Sequence, residues 1–369
     1  MRYFNVHGNV RNQLATIMPL VADRRTTSGA PMILALGMAL LAAAGNYRSR
    51  VETINLPLSP GSGQHVALHC AEPEKSTDKG VLFIHGSSFP TMLAAGFEFK
   101  PGDSWMEFMA RDGFLACGLD FLGFGASSRP QAMREPAAAH PPLLRVPEAA
   151  REIGMAIAYL RASRGIREVH VIAHSWGTIP AADFAANHAG ALSSLTLFGP
   201  VLPVPGSAPP SEHVAWFAMT AKERLQQLYF SEVLPRGVVL LEPAVTRRWA
   251  GEFEASAPRI PGDPPGEIRI PDGPVADFEA VNAGVYPYSP SQVTAPILMV
   301  YGRYDVWANL PNAAAFLARF TSSPLRWQLC IDEGTHVMHL ERNRMSLYES
   351  VLGFIGATER LEGNGNVRQ

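Results

Sequence analysis

From residue 51 onward, short apolar runs alternate with helix-like stretches, and this alternation constrains the fold more than any other feature of the chain. Gly80–Ile84, Leu115–Phe121, Val169–Ala173, Leu195–Phe198, Ile297–Tyr301 and Arg326–Ile331 read, by length and apolar content, as buried strands. Ser104–Arg111, Pro147–Arg164, Trp176–His188, Ala308–Phe320 and Leu340–Ile355 read as helices between them. Strands that alternate with helices build a mostly parallel sheet covered on both faces. Val51–Leu58 and His65–Ala71, joined by Ser59-Pro60-Gly61-Ser62-Gly63, add an antiparallel hairpin at one edge.

Two stretches fall outside this rhythm. Residues 200–294 separate two strands and are rich in proline. A structureless loop of that length is improbable in a compact domain. The interval is expected to be a cap, or lid, with helical pieces such as Pro210–Leu228. In residues 1–50, Arg24 and Arg25 precede an apolar run, Ala30 to Gly45, that ends in small residues. That order suits a secretory signal of the twin-arginine kind, with a mature chain starting near Gly45. The other reading is an ordinary N-terminal helix or an extension from an upstream start codon. A secreted or periplasmic location is slightly favoured over a cytoplasmic one. The run is shorter than the ~20 residues of a spanning helix, so no stable membrane span is expected. The remaining divisions are a core in two parts, 51–199 and 295–357, and a polar tail, 358–369.

The formal net charge is −2, which offers no basic field for nucleic acid. The cysteines Cys70, Cys117 and Cys330 form no CxxC or Cys/His cluster, so no zinc site is expected, and all three read as buried free thiols.

The chemistry concentrates at Val169-His170-Val171-Ile172-Ala173-His174-Ser175-Trp176-Gly177-Thr178. A strand runs into a small-x-Ser-x-Gly turn and then a helix. Such a turn lifts a serine hydroxyl above the sheet at a helix N-terminus, and the small residues two before and two after let strand and helix approach. A serine hydroxyl needs a base, and the base an orienting carboxylate. Both are expected later in the chain. Asp305 follows the strand 297–301 and a Gly turn, and His336 follows the strand 326–331 as Gly-x-His. Both would stand at the same sheet edge as Ser175. His339 is a competing base, Asp332 reads as a local partner, His174 as packing, and His188 as a helix end. The strand ending in His85-Gly86 leads to Ser87 and Ser88, whose backbone N–H groups would share an oxyanion site with that of Trp176. His85 is expected to fix that loop by hydrogen bonding. The Gly-x-Gly at 123–125 lacks the third glycine and the helix of a dinucleotide site.

Together, His85-Gly86, Asp-x-x-Gly-x-Gly-x-Ser at 120–127, His-Ser-x-Gly at 174–177, Asp305 and His336 resemble the α/β-hydrolase superfamily over residues 51–357. The resemblance implies an eight-stranded, mostly parallel sheet with helices on both faces and a lid after strand 6. It implies Ser175 as nucleophile, His336 as base and Asp305 as acid, with the Asp120 motif a structural turn beside the site. A serine at the elbow points to acyl chemistry through an acyl-enzyme, with no cofactor and no metal. A neutral histidine is required, so the rate should fall below about pH 6.5, where an ordinary histidine protonates.

The expected substrate is a hydrophobic, largely uncharged ester. Phe89, Phe97, Trp216 and Phe217 are candidate binding residues, with Tyr229 and Phe230 nearby in the chain. An acyltransferase, a carbon–carbon bond hydrolase or a cofactor-free perhydrolase would use the same triad. A ligand receptor on this scaffold is a further alternative, and fold alone does not choose.

Overall fold

The computed structural model describes residues 49–204, 207, 211–228, 233–308 and 310–366. The signal-like stretch before residue 49, and Tyr229 and Phe230, lie outside the described residues.

The strands are β1 (Val51–Pro57), β2 (His65–Ala71), β3 (Lys79–Ile84), β4 (Leu115–Asp120), β5 (Glu168–His174), β6 (Ser194–Phe198), β7 (Trp216–Thr220), β8 (Glu267–Pro271), β9 (Ile297–Gly302) and β10 (Arg326–Ile331). Eight of them form one sheet in the order β1-β2-β4-β3-β5-β6-β9-β10. β1 pairs antiparallel with β2, and β2 with β4, while the other neighbours are parallel. The expected eight-stranded, mostly parallel sheet is borne out.

Helices cover both faces. They are α1 (Trp105–Arg111), α2 (Val146–Arg164), α3 (Thr178–Asn187), α4 (Ala221–Leu228), α5 (Pro243–Ala255), α6 (Gly273–Asn282), α7 (Leu310–Leu317) and α8 (Arg344–Asn366). The apolar strands divide by the period of two. Leu82, Ile84, Val171 and Met299 share one core with Ile153, Ile157 and Leu160 of α2 and Ala181 and Ala185 of α3. Val81, Phe83, Ile172, Leu298 and Val300 share the other with Met106 and Met109 of α1 and Leu347, Val351 and Phe354 of α8. Each such Val, Leu, Ile, Met or Phe side chain stabilises by about 1.5–3 kcal/mol when fully buried, which explains strands that are apolar at every position.

Strand order determines where a site can form. The chain leaves β3 toward β4 on one side, and leaves β5 toward β6 on the other. The C-terminal ends of β3 and β5 therefore flank a topological switch point, where open α/β sheets leave a crevice.

Several expectations are corrected. Pro210–Leu228 is not helical throughout. Trp216–Thr220 is β7, paired antiparallel with β8 from Trp216↔Pro271 to Thr220↔Glu267, and only Ala221–Leu228 is helix. A partner about fifty residues away in the chain overrode the local helical pattern. The last helix does not stop at Ile355 but runs to Asn366, through most of the segment expected as a polar tail. Thr358 is buried there, and Glu359 meets Lys79 at 2.9 Å. Among the described residues no helix is long and apolar enough to cross a membrane.

The cysteines are corrected as well. Cys70 and Cys117 form a disulfide, and only Cys330 is free. The pair are register partners on β2 and β4, so their side chains leave the same face of adjacent strands. Closing a loop across a sequence separation of 47 restricts the unfolded chain. Replacing both by alanine is expected to cost about 2–4 kcal/mol, read as a lower urea midpoint with a steeper slope, since the freed unfolded chain exposes more surface.

Candidate active site

Ser175 follows β5 and opens a 3-10 turn, Ser175–Gly177, that feeds α3. Its φ is 56°, a left-handed conformation that non-glycine residues rarely adopt. The turn is tight because its neighbours lack side chains. A Cβ at Gly177 would stand 2.4 Å from the His85 carbonyl oxygen, and one at Gly86 3.1 Å from the Ser175 Cβ. Alanine at position 177 would force strand and helix apart.

The loops after β9 and β10 carry Asp305 and His336. They clasp each other: the Tyr304 N–H donates to the Gly334 carbonyl at 2.9 Å, and a Cβ at Gly302 would stand 2.2 Å from that oxygen. His336 Nδ1 lies 3.0 Å from Asp305 Oδ2, and His336 Nε2 lies 2.8 Å from Ser175 Oγ. With Nδ1–H donated to the carboxylate, Nε2 is left to accept the serine proton. Asp305 Oδ1 also accepts the Trp307 N–H at 3.0 Å. Gly199, after β6, has φ +52°, and a Cβ there would come within 3.0 Å of Asp305 Oδ2 and 3.1 Å of His336 Nδ1. The residues Ser175, His336 and Asp305 are 7%, 2% and 4% exposed, so their contacts are little weakened by water.

Residues around this chain orient it. His174 Nε2–H donates to the His336 carbonyl at 2.8 Å. Burial first, then the charges of His339, His336 and Arg224, hold His174 well below the usual histidine range, so it stays neutral. His339, the competing base, is buried with neither ring nitrogen partnered, and burial and the His336 charge push it down to about 3.

Asp332 pairs with Arg303, and His188 Nδ1–H donates to the Phe184 carbonyl at the end of α3. His85 Nδ1–H donates to the Gly86 carbonyl at 2.7 Å, and His85 Nε2 accepts the Phe121 N–H at 3.2 Å, which fixes the loop carrying Ser87 and Ser88. Asp120 accepts from the Thr91 and Ala126 backbone at 2.8 and 3.0 Å and meets His69 at 2.8 Å. Burial alone would raise its pKa, but these bonds and the His69 and His85 charges hold it below the usual range.

The candidate binding residues scatter. Phe89 is buried beside the site, its ring centroid 6.3 Å from His174 and 5.3 Å from Trp249 of α5. Phe97 packs on Phe99 under Arg248. Trp216 donates its indole N–H to the Ala132 and Glu135 carbonyls and lies under Arg269, and Phe217 packs against the core at the next position of β7. A cavity of about 20 Å³ beside His174, lined also by Trp105, Phe198 and His339, is the size of one water and too small for a substrate.

Trp249 and Asp277, which no sequence motif marks, tie 200–294 to this edge. Trp249 donates its indole N–H to the Leu93 carbonyl at 2.9 Å, and Trp176 donates its own to Asp277 of α6 at 3.3 Å. Glu341, likewise unmarked by any motif, accepts from the Thr335 N–H at 3.1 Å and from the Thr335 hydroxyl. Burial pushes the Glu341 carboxyl up to about 7. Between about pH 4.5 and 7 the native protein therefore holds a proton that the unfolded chain has released. Its contribution to stability falls as pH rises through that window and is level above it. Glu152, buried against the Leu122 N–H and also pushed up to about 7, adds a second proton over the same range. Glu341→Gln is expected to lower the slope of stability against pH by about one proton's worth, 1.4 kcal/mol per pH unit, measured by urea melts from pH 5 to 7.

Among the described residues one group has metal-ligand spacing: Glu168, His170 and Glu359. It lies at the opposite end of β5 from Ser175, and the Lys79 ammonium already meets Glu359 there.

A family model of the alpha/beta hydrolase fold matches residues 81–342. No curated protein sequence matches the chain. Among solved structures, a bacterial membrane phospholipase A superposes with a TM-score of 0.53 at 16% identity, over 84% of this chain and 87% of that one. A thioesterase domain of the curacin biosynthetic pathway gives 0.54 at 15% identity, over 82% and 99%. A 2-hydroxy-6-oxo-6-phenylhexa-2,4-dienoate hydrolase from Rhodococcus sp. strain RHA1 gives 0.51 at 18% identity, over 83% and 99%. At these identities the likeness is one of fold. With the matched family model spanning most of the chain and the eight-stranded sheet in place, this protein belongs to the alpha/beta hydrolase fold family.

Proposed function

We propose that the chain is a serine hydrolase acting on a carboxylic ester of a predominantly hydrophobic small molecule. The observation that carries this reading is the contact chain Ser175 Oγ, His336 Nε2, His336 Nδ1, Asp305 Oδ2 at a strained turn. In the first step His336 takes the Ser175 proton as Oγ attacks the ester carbonyl, and Asp305 stabilises the imidazolium. His336 then returns the proton to the departing alkoxide, which leaves as an alcohol. In the second step His336 takes a proton from water as the water attacks the acyl-enzyme carbonyl, the acyl–Oγ bond breaks, His336 returns the proton to Ser175 Oγ, and the acid is released.

The backbone N–H groups of Trp176 and of Ser87 or Ser88 are assigned to the oxyanion. The Gly86 contact with Ser175 supports this, because it brings the loop after β3 against the nucleophile turn. Residues 200–294 are assigned as the cap: α5 lies over the loop after β3 through Trp249, and α6 over the elbow through Asp277. The Cys70–Cys117 bridge supports the export reading, since such bonds persist in oxidising compartments.

The test is a series of p-nitrophenyl esters of graded chain length beside a fluorophosphonate probe. Turnover that rises with acyl length, together with probe labelling at Ser175, is the expected result. Labelling without turnover of any ester would instead favour a transferase or a receptor.

A further inference from the structure

Arg224 stands apart from the other half-buried arginines. It sits on α4, in the segment assigned as the cap. Its Nη1 donates to the Gln227 amide oxygen at 2.9 Å, and its Nε is buried with no partner. Arg145, Arg164, Arg269 and Arg344 each meet a carboxylate. Arg129, also without one, spends its guanidinium on the Ser127, Gly125 and Ser256 carbonyls. No carboxylate among the described residues answers Arg224. Burial lowers its pKa only to about 10, so it is a cation at neutral pH.

A partly buried charge with no counter-ion among the described residues is costly to keep, and a neutral amide oxygen does not cancel it. Its position suggests why it is kept. α4 packs on α5, Trp249 of α5 packs on Phe89, and Phe89 faces His174, the residue before Ser175. The Arg224 charge is also felt at His174, the residue before Ser175. A planar guanidinium with unspent donors matches an oxyanion in two-point geometry.

We propose that Arg224 is the docking cation for a carboxylate that the substrate carries away from its scissile ester, so that the substrate is a hydrophobic half-ester rather than an uncharged one. The proposal rests on the serine-hydrolase reading and revises the substrate expected from composition. Desolvation in the cap raises the attraction above its value in water. The same contact fixes which end of the substrate faces Ser175.

The experiment pairs p-nitrophenyl hemiadipate with its methyl ester, which has the same acyl chain without the charge. The wild type is expected to prefer the hemiadipate in kcat/KM. Arg224→Met should lose about 10–100-fold on the hemiadipate and little on the methyl ester, with Arg224→Lys intermediate. Labelling of Ser175 by an uncharged fluorophosphonate should proceed as in the wild type, which shows that the variant is folded. An equal loss on both esters, or a wild-type preference for the methyl ester, overturns the proposal. A preference for a lysophospholipid over the hemiadipate overturns the carboxylate assignment in favour of a phosphate.

A binding arm separates this proposal from the reading beneath it. Monomethyl adipate should bind Ser175→Ala in calorimetry and fail to bind Ser175→Ala/Arg224→Met. If that difference holds while no ester is turned over, the anion site stands and the serine-hydrolase reading falls. If esters are hydrolysed but the difference is absent, the anion site falls alone.

Discussion

Ser175→Ala is expected to lower kcat on the best p-nitrophenyl ester on the order of 10⁴–10⁶-fold and to abolish fluorophosphonate labelling. The size follows from the division of labour at the site. In the proposed reaction Oγ is the atom that bonds to the acyl carbon, and the 2.8 Å contact to His336 Nε2 would make it nucleophilic at neutral pH. Without Oγ no acyl-enzyme forms, and any residual rate must come from water attacking a carbonyl held in the oxyanion site. KM should change little, because the alanine leaves the Phe89 side of the site and the cap untouched. The fold should persist too. Ser175 holds φ at 56°, which strains alanine no less than serine, and the surrounding glycine contacts remain. A variant that melts normally, labels with the probe and keeps a tenth of the wild-type rate would remove Ser175 from the reaction.

How much of this site could be read in the sequence depends on the range of the interactions. The turn at 169–178 is local. Its strand, small residues and helix lie within ten positions, and the steric demands of Gly177 and Ala173 are written in residues next to the serine. Asp305 and His336 were legible because each follows a recognisable strand at the same sheet edge. What escaped is non-local. The disulfide requires that β2 lie beside β4, and the order of strands is set by packing rather than by any short motif. β7 requires a partner at 267–271, and before that pairing its residues look helical. The aromatic residues of the cap illustrate the same limit. Composition pointed to Trp216 and Phe217, yet Trp216 is tied to the carbonyls of 132 and 135, and Trp249 is the residue that meets the loop after β3. Arg224 is another case. An arginine on an amphipathic helix reads as solvated, and the absence of a carboxylate partner among the described residues becomes visible only in the folded structure.

Asp305→Asn is expected to cost about 10⁴-fold in kcat while leaving the fold and KM close to wild type. The geometry gives the reason. Asp305 Oδ2 accepts the proton on His336 Nδ1 at 3.0 Å, and its other oxygen accepts the Trp307 N–H at 3.0 Å. Asparagine can keep the Trp307 bond with its carbonyl oxygen, which turns its amide N–H₂ toward Nδ1. The histidine then accepts at Nδ1 and carries its proton on Nε2. In that tautomer Nε2 donates to Ser175 Oγ and cannot take a proton from it. The imidazolium of the transition state also loses its counter-charge in a site that is nearly dry. A second readout distinguishes this from simple disruption. The Asp305 charge helps hold Glu341 protonated, after the larger effect of burial, so removing it should lower the Glu341 pKa. The stability profile of Asp305→Asn should accordingly decline less steeply between pH 5 and 7 than that of the wild type, and combining it with Glu341→Gln should remove that difference. A 10⁴-fold loss in kcat with both effects present would assign Asp305 as the orienting acid. A loss below tenfold would mean that another group orients His336.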